Sequence, residues 1–76
     1  MKDLLYYIVK AIVDVPDEVS VQEVEGEKAL ILEIKVAASD VGKVIGKHSR
    51  IINAIRTIVR AAAVKDGKKV SVELIG

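Results

Sequence analysis

One stretch decides the fold of this chain: Asp40-Val41-Gly42-Lys43-Val44-Ile45-Gly46-Lys47-His48-Ser49-Arg50-Ile51-Ile52. Its apolar residues predict a short helix, a joint of four residues (Gly46–Ser49) and a second helix. Gly46 permits a sharp turn and a close approach to the backbone, because it has no Cβ. The second helix directs its first N–H groups and its positive dipole end toward the joint. The joint therefore predicts an anion site, although an ordinary helical corner with a glycine C-cap fits the same residues.

The second helix, expected from about Arg50 to Val64, divides into two faces at 100° per residue. The apolar face, expected to pack on a sheet, holds Ile51, Ile52, Ile55, Ile58, Val59, Ala62 and Ala63. The polar face holds Arg50, Asn53, Arg56, Thr57 and Arg60. Solvated surfaces usually mix charges of both signs, whereas this face carries three arginines and no acid. The pattern therefore favours contact with phosphates over a plain solvated face.

Upstream, the sequence predicts one helix and a hairpin. Apolar residues recur at helical spacing from Lys2 to Val13, and Pro16 then ends the helix. Two β-branched runs follow, at 19–24 and 29–36, and the second alternates with a period of two. Its apolar face comprises Leu30, Leu32, Ile34 and Val36.

The remaining elements complete the fold class. Ser39-Asp40 provides a predicted N-cap for the short helix, and Asp66-Gly67 a turn before a last strand at 70–74. The resulting order is α-β-β-α-α-β. We therefore expect a single α+β domain over residues 1–76, with a three-stranded sheet packed on helices.

Composition narrows the function classes. Of the 76 residues, 51% are hydrophobic, nearly all aliphatic, which argues against disorder. There is no cysteine, and His48 is the single histidine, so we expect no catalytic residue, no metal site and no cofactor. No apolar run approaches the ~18 residues of a membrane span. With no signal peptide visible, a cytoplasmic location is expected.

The net charge of +1 conceals a separation between the halves of the chain. Residues 1–40 carry −5 and residues 41–76 carry +6. Such an asymmetry indicates a polyanionic partner for the basic half. We expect the basic residues between Lys43 and Arg60 to share one side, with the acids of the first half turned away.

The pattern Val44-Ile45-Gly46-Lys47-x-x-Arg50-x-Ile52-x-x-Ile55 resembles the signature of a KH domain, in which a GxxG loop grips a nucleic-acid backbone. The element order resembles the type II version. Over its whole length the chain is similar to the small bacterial KhpA-like (YlqC) family of RNA-binding proteins. The resemblance implies single-stranded RNA binding, an RNA-chaperone or post-transcriptional role, and a link to cell-wall biogenesis and cell shape. It also implies a homodimer, or a heterodimer with a larger KH-containing RNA-binding protein.

The expected binding site follows from the joint and its flanks. Phosphates would be held at the loop of Gly46, Lys47, His48 and Ser49 by the backbone amides of Lys47, His48 and Ser49, with help from Lys43, Arg50 and Asn53. An aliphatic floor for bases would be formed by Val41, Val44 and Ile45, with Ile52 beside them. No aromatic residue lies in this region, so base stacking worth ~1–3 kcal/mol per base is missing. Weak binding per domain is therefore expected, and dimerisation would raise avidity.

Ser49 departs from the family pattern, because the fourth loop position is normally glycine. Its Cβ restricts the approach of a phosphate, while its side chain predicts either an N-cap of the second helix or a hydroxyl donor to phosphate. Two alternatives to RNA binding stay open. One is a protein-interaction or assembly domain with weakened nucleic-acid binding, and the other is a single-stranded DNA binder.

Overall fold

The structure, a computed structural model, describes residues 2–75 apart from the side chain of Asp66. Three helices and three strands follow one another as α1 (Lys2–Ile12), β1 (Ser20–Glu25), β2 (Ala29–Lys35), α2 (Val41–Ile45), α3 (Arg50–Ala63) and β3 (Lys69–Ile75). Short 3₁₀ turns precede β1, α2, α3 and β3. The predicted α-β-β-α-α-β order and the α+β class are confirmed.

The three strands form one mixed sheet in the order β1-β2-β3. β1 runs antiparallel to β2, with Val21 opposite Ile34, and β2 runs parallel to β3, with Leu32 opposite Val72. A parallel pair needs a crossover connection, and α2, the loop after it and α3 supply that connection. The glycine-containing joint therefore lies within the crossover.

The helices cover one face of the sheet, and the core lies between the two layers. The alternation predicted for β2 is confirmed, since Leu32 and Ile34 are fully buried while Ile31 and Lys35 are exposed. Leu5 and Val9 of α1 are also fully buried. Each such side chain contributes about 1.5–3 kcal/mol relative to an exposed position.

The buried stripe of α3 is narrower than the helical wheel predicted. Ile52, Ile55, Val59 and Ala63 are buried, and they span an arc of about 80°. Ile51 and Ile58, expected in the core, keep 36% and 48% of their surface exposed. The sheet covers only the centre of the apolar face, so these two isoleucines lie on its flank.

Asp40 joins two segments that are distant in sequence. Its carboxylate is fully buried and accepts hydrogen bonds from the backbone N–H groups of Asp14 (3.1 Å) and Val15 (2.9 Å). The predicted role of its side chain as a cap of α2 is wrong, because no capping hydrogen bond forms. Its oxygens instead accept hydrogen bonds from the backbone N–H groups just after α1. This contact fixes the start of α2 against that segment.

The described part of the chain contains no helix that is long and apolar enough to span a membrane.

Candidate nucleic-acid interface

The loop between α2 and α3 is held in an unusual backbone conformation. Gly46, His48 and Ser49 have φ values of +74°, +56° and +59°. For a residue other than glycine, the left-handed region costs roughly 1–2 kcal/mol. Two consecutive non-glycine residues therefore store strain in this loop, and such strain is concentrated at functional sites.

Ser49 precedes α3 directly, but its side chain makes no capping hydrogen bond. An N-cap residue normally has extended backbone, from which its oxygen reaches the N–H groups of the first turn. The left-handed backbone of Ser49 points the side chain elsewhere. The prediction that the Ser49 side chain caps α3 with a hydrogen bond is therefore wrong. The exposed hydroxyl stays available to a ligand.

The N–H groups of Ser49 and of Arg50, the first residue of α3, are engaged by carbonyl groups of the loop. The N–H of Ser49 donates to the carbonyl of Gly46 (3.2 Å), and the N–H of Arg50 donates to the carbonyl of Lys47. Within residues 2–75, the amides of Lys47 and His48 make no hydrogen bond to another backbone group. The three amides expected to face phosphates are thus reduced to two.

A groove of about 380 Å³ opens beside the loop. Ser49 of the loop lines it together with side chains from three elements. These are Val41 and Ile45 of α2, Ile52 and Arg56 of α3, and Glu73 and Leu74 of β3. The structure therefore brings together Val41, Ile45 and Ile52, which sequence reasoning placed in one aliphatic floor. The loop lies at one end of this groove, where α2 passes into α3.

Two of the predicted site residues have other surroundings than expected. Val44 is fully buried in the core and lies beneath the floor, so its side chain does not line the groove. Lys43 forms an ion pair with Asp14, and its Nζ lies 4.0 Å from Oδ1 of Asp40. Its charge is therefore largely offset by acids of the first half. Lys47, Arg50 and Asn53 are exposed at the loop and on the first turn of α3.

Arg56 belongs to the groove, although sequence reasoning placed it only on the polar face of α3. Its Nε and Nη2 each lie 3.4 Å from the carbonyl oxygen of Val72, and its Nη1 donates to Oδ1 of Asn53 at 3.2 Å. These contacts hold the guanidinium against β3. Glu73 and Leu74 were missed entirely, because the sequence carries no signal for the position of β3 relative to α3.

The separation of charge in the fold is only partial. The expectation that acids of the first half turn away from the basic residues between Lys43 and Arg60 is wrong for Asp14 and Asp40, since Lys43 approaches both. Glu25 pairs with Lys68, which lies outside that range. Among the residues that the structure describes, no carboxylate pairs with Arg56 or Arg60. Lys47 at the loop and the arginines of α3 are therefore among the described cations that no carboxylate compensates.

The crossover from β2 to β3 through two helices and a glycine loop, with β1 antiparallel at the other edge, is the type II arrangement of a KH domain. The chain belongs to the KhpA/KhpB KH-domain family, whose model matches residues 2–74. KH domains are binding modules, so the protein is not an enzyme.

Similar proteins span almost the same length. The chain is 61% identical to the RNA-binding protein KhpA of Clostridium acetobutylicum, over 99% of this chain and 100% of that protein. It is 55% identical to the RNA-binding protein KhpA of Caldanaerobacter subterraneus subsp. tengcongensis, with the same coverage. It is 49% identical to the RNA-binding protein KhpA of Chlamydia trachomatis, over 99% of this chain and 96% of that protein.

Proposed function

We propose that this protein binds single-stranded RNA, with phosphates at the Gly46–Ser49 loop and about four nucleotides across the adjoining groove. One observation carries the proposal. The loop presents two backbone amides without backbone partners, and it opens onto a groove walled by Arg56. The name of the relatives, RNA-binding protein KhpA, supports RNA as the nucleic acid.

Different parts of the groove would contact the phosphates and the bases of the RNA. Lys47 and Arg50, both exposed at the loop, supply positive charge for phosphates. Val41, Ile45 and Ile52 supply an apolar floor for bases. A nucleotide strand that follows the loop would thus place its backbone at the charged end and its bases on the aliphatic surface.

Arg56 adds a planar cation to the wall of this groove. A guanidinium can stack on a base face or donate to a base edge, and the contact with the Val72 carbonyl limits its movement. None of the residues that line the groove is aromatic. Affinity per domain should therefore be modest, with little discrimination between sequences.

Modest affinity per domain favours a second KH domain in the functional unit, either a copy of this chain or a larger KH-containing partner. Exposed apolar side chains support such pairing, among them Tyr7 at 75% and Ile58 at 48% exposure. A cytoplasmic location remains a prediction from the sequence. An RNA-chaperone role and a link to cell-wall biogenesis and cell shape remain predictions from the family resemblance.

The test replaces Lys47 and His48 with aspartate in one variant. Both side chains are exposed, so folding should change little, while negative charge enters the place assigned to phosphates. Affinity for a labelled eight-nucleotide RNA should fall at least tenfold, equivalent to about 1.4 kcal/mol. Thermal melting of the same sample reports on folding.

A matched control replaces Lys10 and Lys35, which are exposed and do not line the groove, with aspartate. This control should keep most of the affinity, although it alters the net charge at least as much. Equal losses of RNA affinity in the two variants would show that the effect depends only on the overall charge of the protein. Unchanged affinity in a folded Lys47→Asp, His48→Asp protein would contradict the proposal and favour the protein-interaction alternative. The affinity for a single-stranded DNA of the same base sequence, measured in the same way, tests the single-stranded DNA alternative.

A further inference from the structure

A second hollow, of about 500 Å³, lies at the other end of the seam between α3 and β3. Arg60, Ala63 and Val64 line it from the end of α3 and the turn that follows, and Lys69, Val70 and Ser71 line it from β3. None of these residues lines the groove beside the Gly46–Ser49 loop. The hollow is therefore lined by a separate set of residues.

We propose that this hollow is a second RNA subsite, which receives the continuation of the strand that leaves the first groove. The inference rests on the proposed function, because it needs RNA in the first groove. It adds a longer footprint, with further backbone phosphates held by Arg60 and Lys69. The protein would then recognise a strand of clearly more than four nucleotides.

Continuity with the first groove supports this assignment. Arg56 lines the first groove and Arg60 the second hollow, one helical turn or about 6 Å farther along α3. On the other wall, Glu73 lines the first and Ser71 the second, two residues or about 6.6 Å apart along β3. The two sites thus share both of their walls and follow one another along the outer edge of the sheet.

The charge of the hollow suits a phosphate backbone better than the first groove does. The first groove includes the carboxylate residue Glu73, whereas the side chains that the structure describes in the lining of the second hollow include no acid. Among the described residues, Arg60 and Lys69 form no ion pair, while Lys68, which also lines the hollow, pairs with Glu25. The hydroxyl of Ser71 adds a neutral donor. Two uncompensated cations and a hydroxyl would together hold one or two phosphates.

The test compares two RNA lengths, four and ten nucleotides of oligouridine, on the purified full chain. The variant carries Arg60→Gln and Lys69→Gln, two exposed positions at which glutamine keeps most of the side-chain length. A matched control carries Lys65→Gln and Lys35→Gln, which remove the same charge at exposed positions outside both hollows. Melting curves verify that both proteins are folded.

For the ten-nucleotide RNA we expect the Arg60, Lys69 variant to lose at least fivefold in affinity, and the control less than twofold. For the four-nucleotide RNA both should stay within twofold of the unmodified protein. The slope of log affinity against log salt for the longer RNA should become shallower by about 1.4, at ~0.7 for each of two phosphates.

Three results would overturn the subsite. They are equal affinity of the unmodified protein for both lengths, equal loss on both lengths in the variant, and no loss in the variant on the longer RNA. If the hollow instead bound an acidic protein segment, the variant would show no loss of affinity for the longer RNA. In all three the four-nucleotide RNA still binds, so the proposed function survives. Failure of the unmodified protein to bind either length would overturn both proposals.

Discussion

Gly46 lies directly against the side chain of Ile51. A Cβ built on Gly46 would lie 2.6 Å from Cγ1 and 2.9 Å from Cβ of Ile51, well inside van der Waals contact. Gly46 also has a φ of +74°, which disfavours any residue with a side chain. Conformation and space therefore both require glycine, and the partly exposed Ile51 packs the first turn of α3 against the loop.

Gly46→Ala should destabilise the protein by about 2–6 kcal/mol. The backbone of Gly46, with φ of 74° and ψ of 171°, lies in a region essentially limited to glycine and contributes ~1–3 kcal/mol, and the overpacking against Ile51 contributes a further ~1–3 kcal/mol. Urea denaturation measures the change. In a Gly46→Ala, Ile51→Ala double variant, part of the overpacking cost should disappear, giving a coupling of at least 0.5 kcal/mol. Simple additivity of the two single changes would show that the contact does not determine the cost.

Ser49→Gly should stabilise the protein, by several tenths to about 1 kcal/mol. Glycine removes a left-handed penalty of ~1–2 kcal/mol but adds ~0.4–1 kcal/mol of entropy to the unfolded chain. No capping bond is lost, because Ser49 makes none. RNA affinity should stay equal or rise.

Ser49→Ala is the matched control for that change. Alanine keeps the left-handed penalty and removes only the hydroxyl, so stability should change by less than about 0.5 kcal/mol. Destabilisation by both substitutions would mean that the serine side chain has a stabilising contact after all. A loss of RNA affinity in Ser49→Ala alone would assign the hydroxyl to a phosphate.

The sequence predicted features that depend on local pattern, and it failed where distant segments meet. The period of two in β2 identified its buried face, and Gly46 identified the joint between α2 and α3. The contacts of Asp40 escaped prediction because its partners, Asp14 and Val15, lie 26 and 25 positions earlier. Serine before a helix predicts an N-cap, but the tight turn at Ser49 overrides that preference. Arg56 needed the position of β3 before it could be placed in the groove.

Asp40→Asn should destabilise the protein by about 1–3 kcal/mol. The carboxylate accepts from two backbone N–H groups with its two oxygens, whereas an amide has only one acceptor oxygen. One buried N–H would then face a donor and lose its partner. Chemical denaturation of Asp40→Asn beside Asp17→Asn, an exposed aspartate in the 3₁₀ turn before β1, isolates the effect of burial. Equal stability of the two variants would contradict the assigned role of Asp40.

Lys43 and Lys47 should contribute unequally to RNA binding, although both were predicted to contact phosphates. Lys43 is paired with Asp14 and approaches Asp40, while Lys47 is exposed at the loop. Lys47→Gln should therefore lower RNA affinity threefold or more, and Lys43→Gln less than twofold. Asp14→Asn should raise affinity slightly, because it releases the charge of Lys43. Titration of labelled RNA at one salt concentration measures all three, and a larger loss for Lys43→Gln would reverse the assignment.

Gly42→Ala should raise the stability of the protein and lower its affinity for RNA. A Cβ on Gly42 would have no neighbour within 4 Å, so the methyl group fits without a clash. Alanine in place of a helical glycine should stabilise α2 by about 0.5–1 kcal/mol. Gly42 is exposed and lies one turn before Gly46, whose N–H donates to its carbonyl (2.9 Å), and we expect the RNA backbone to pass beside the added methyl group. RNA affinity should fall threefold or more while the midpoint of urea denaturation rises. A more stable protein with unchanged affinity would show that the strand does not approach this side of α2.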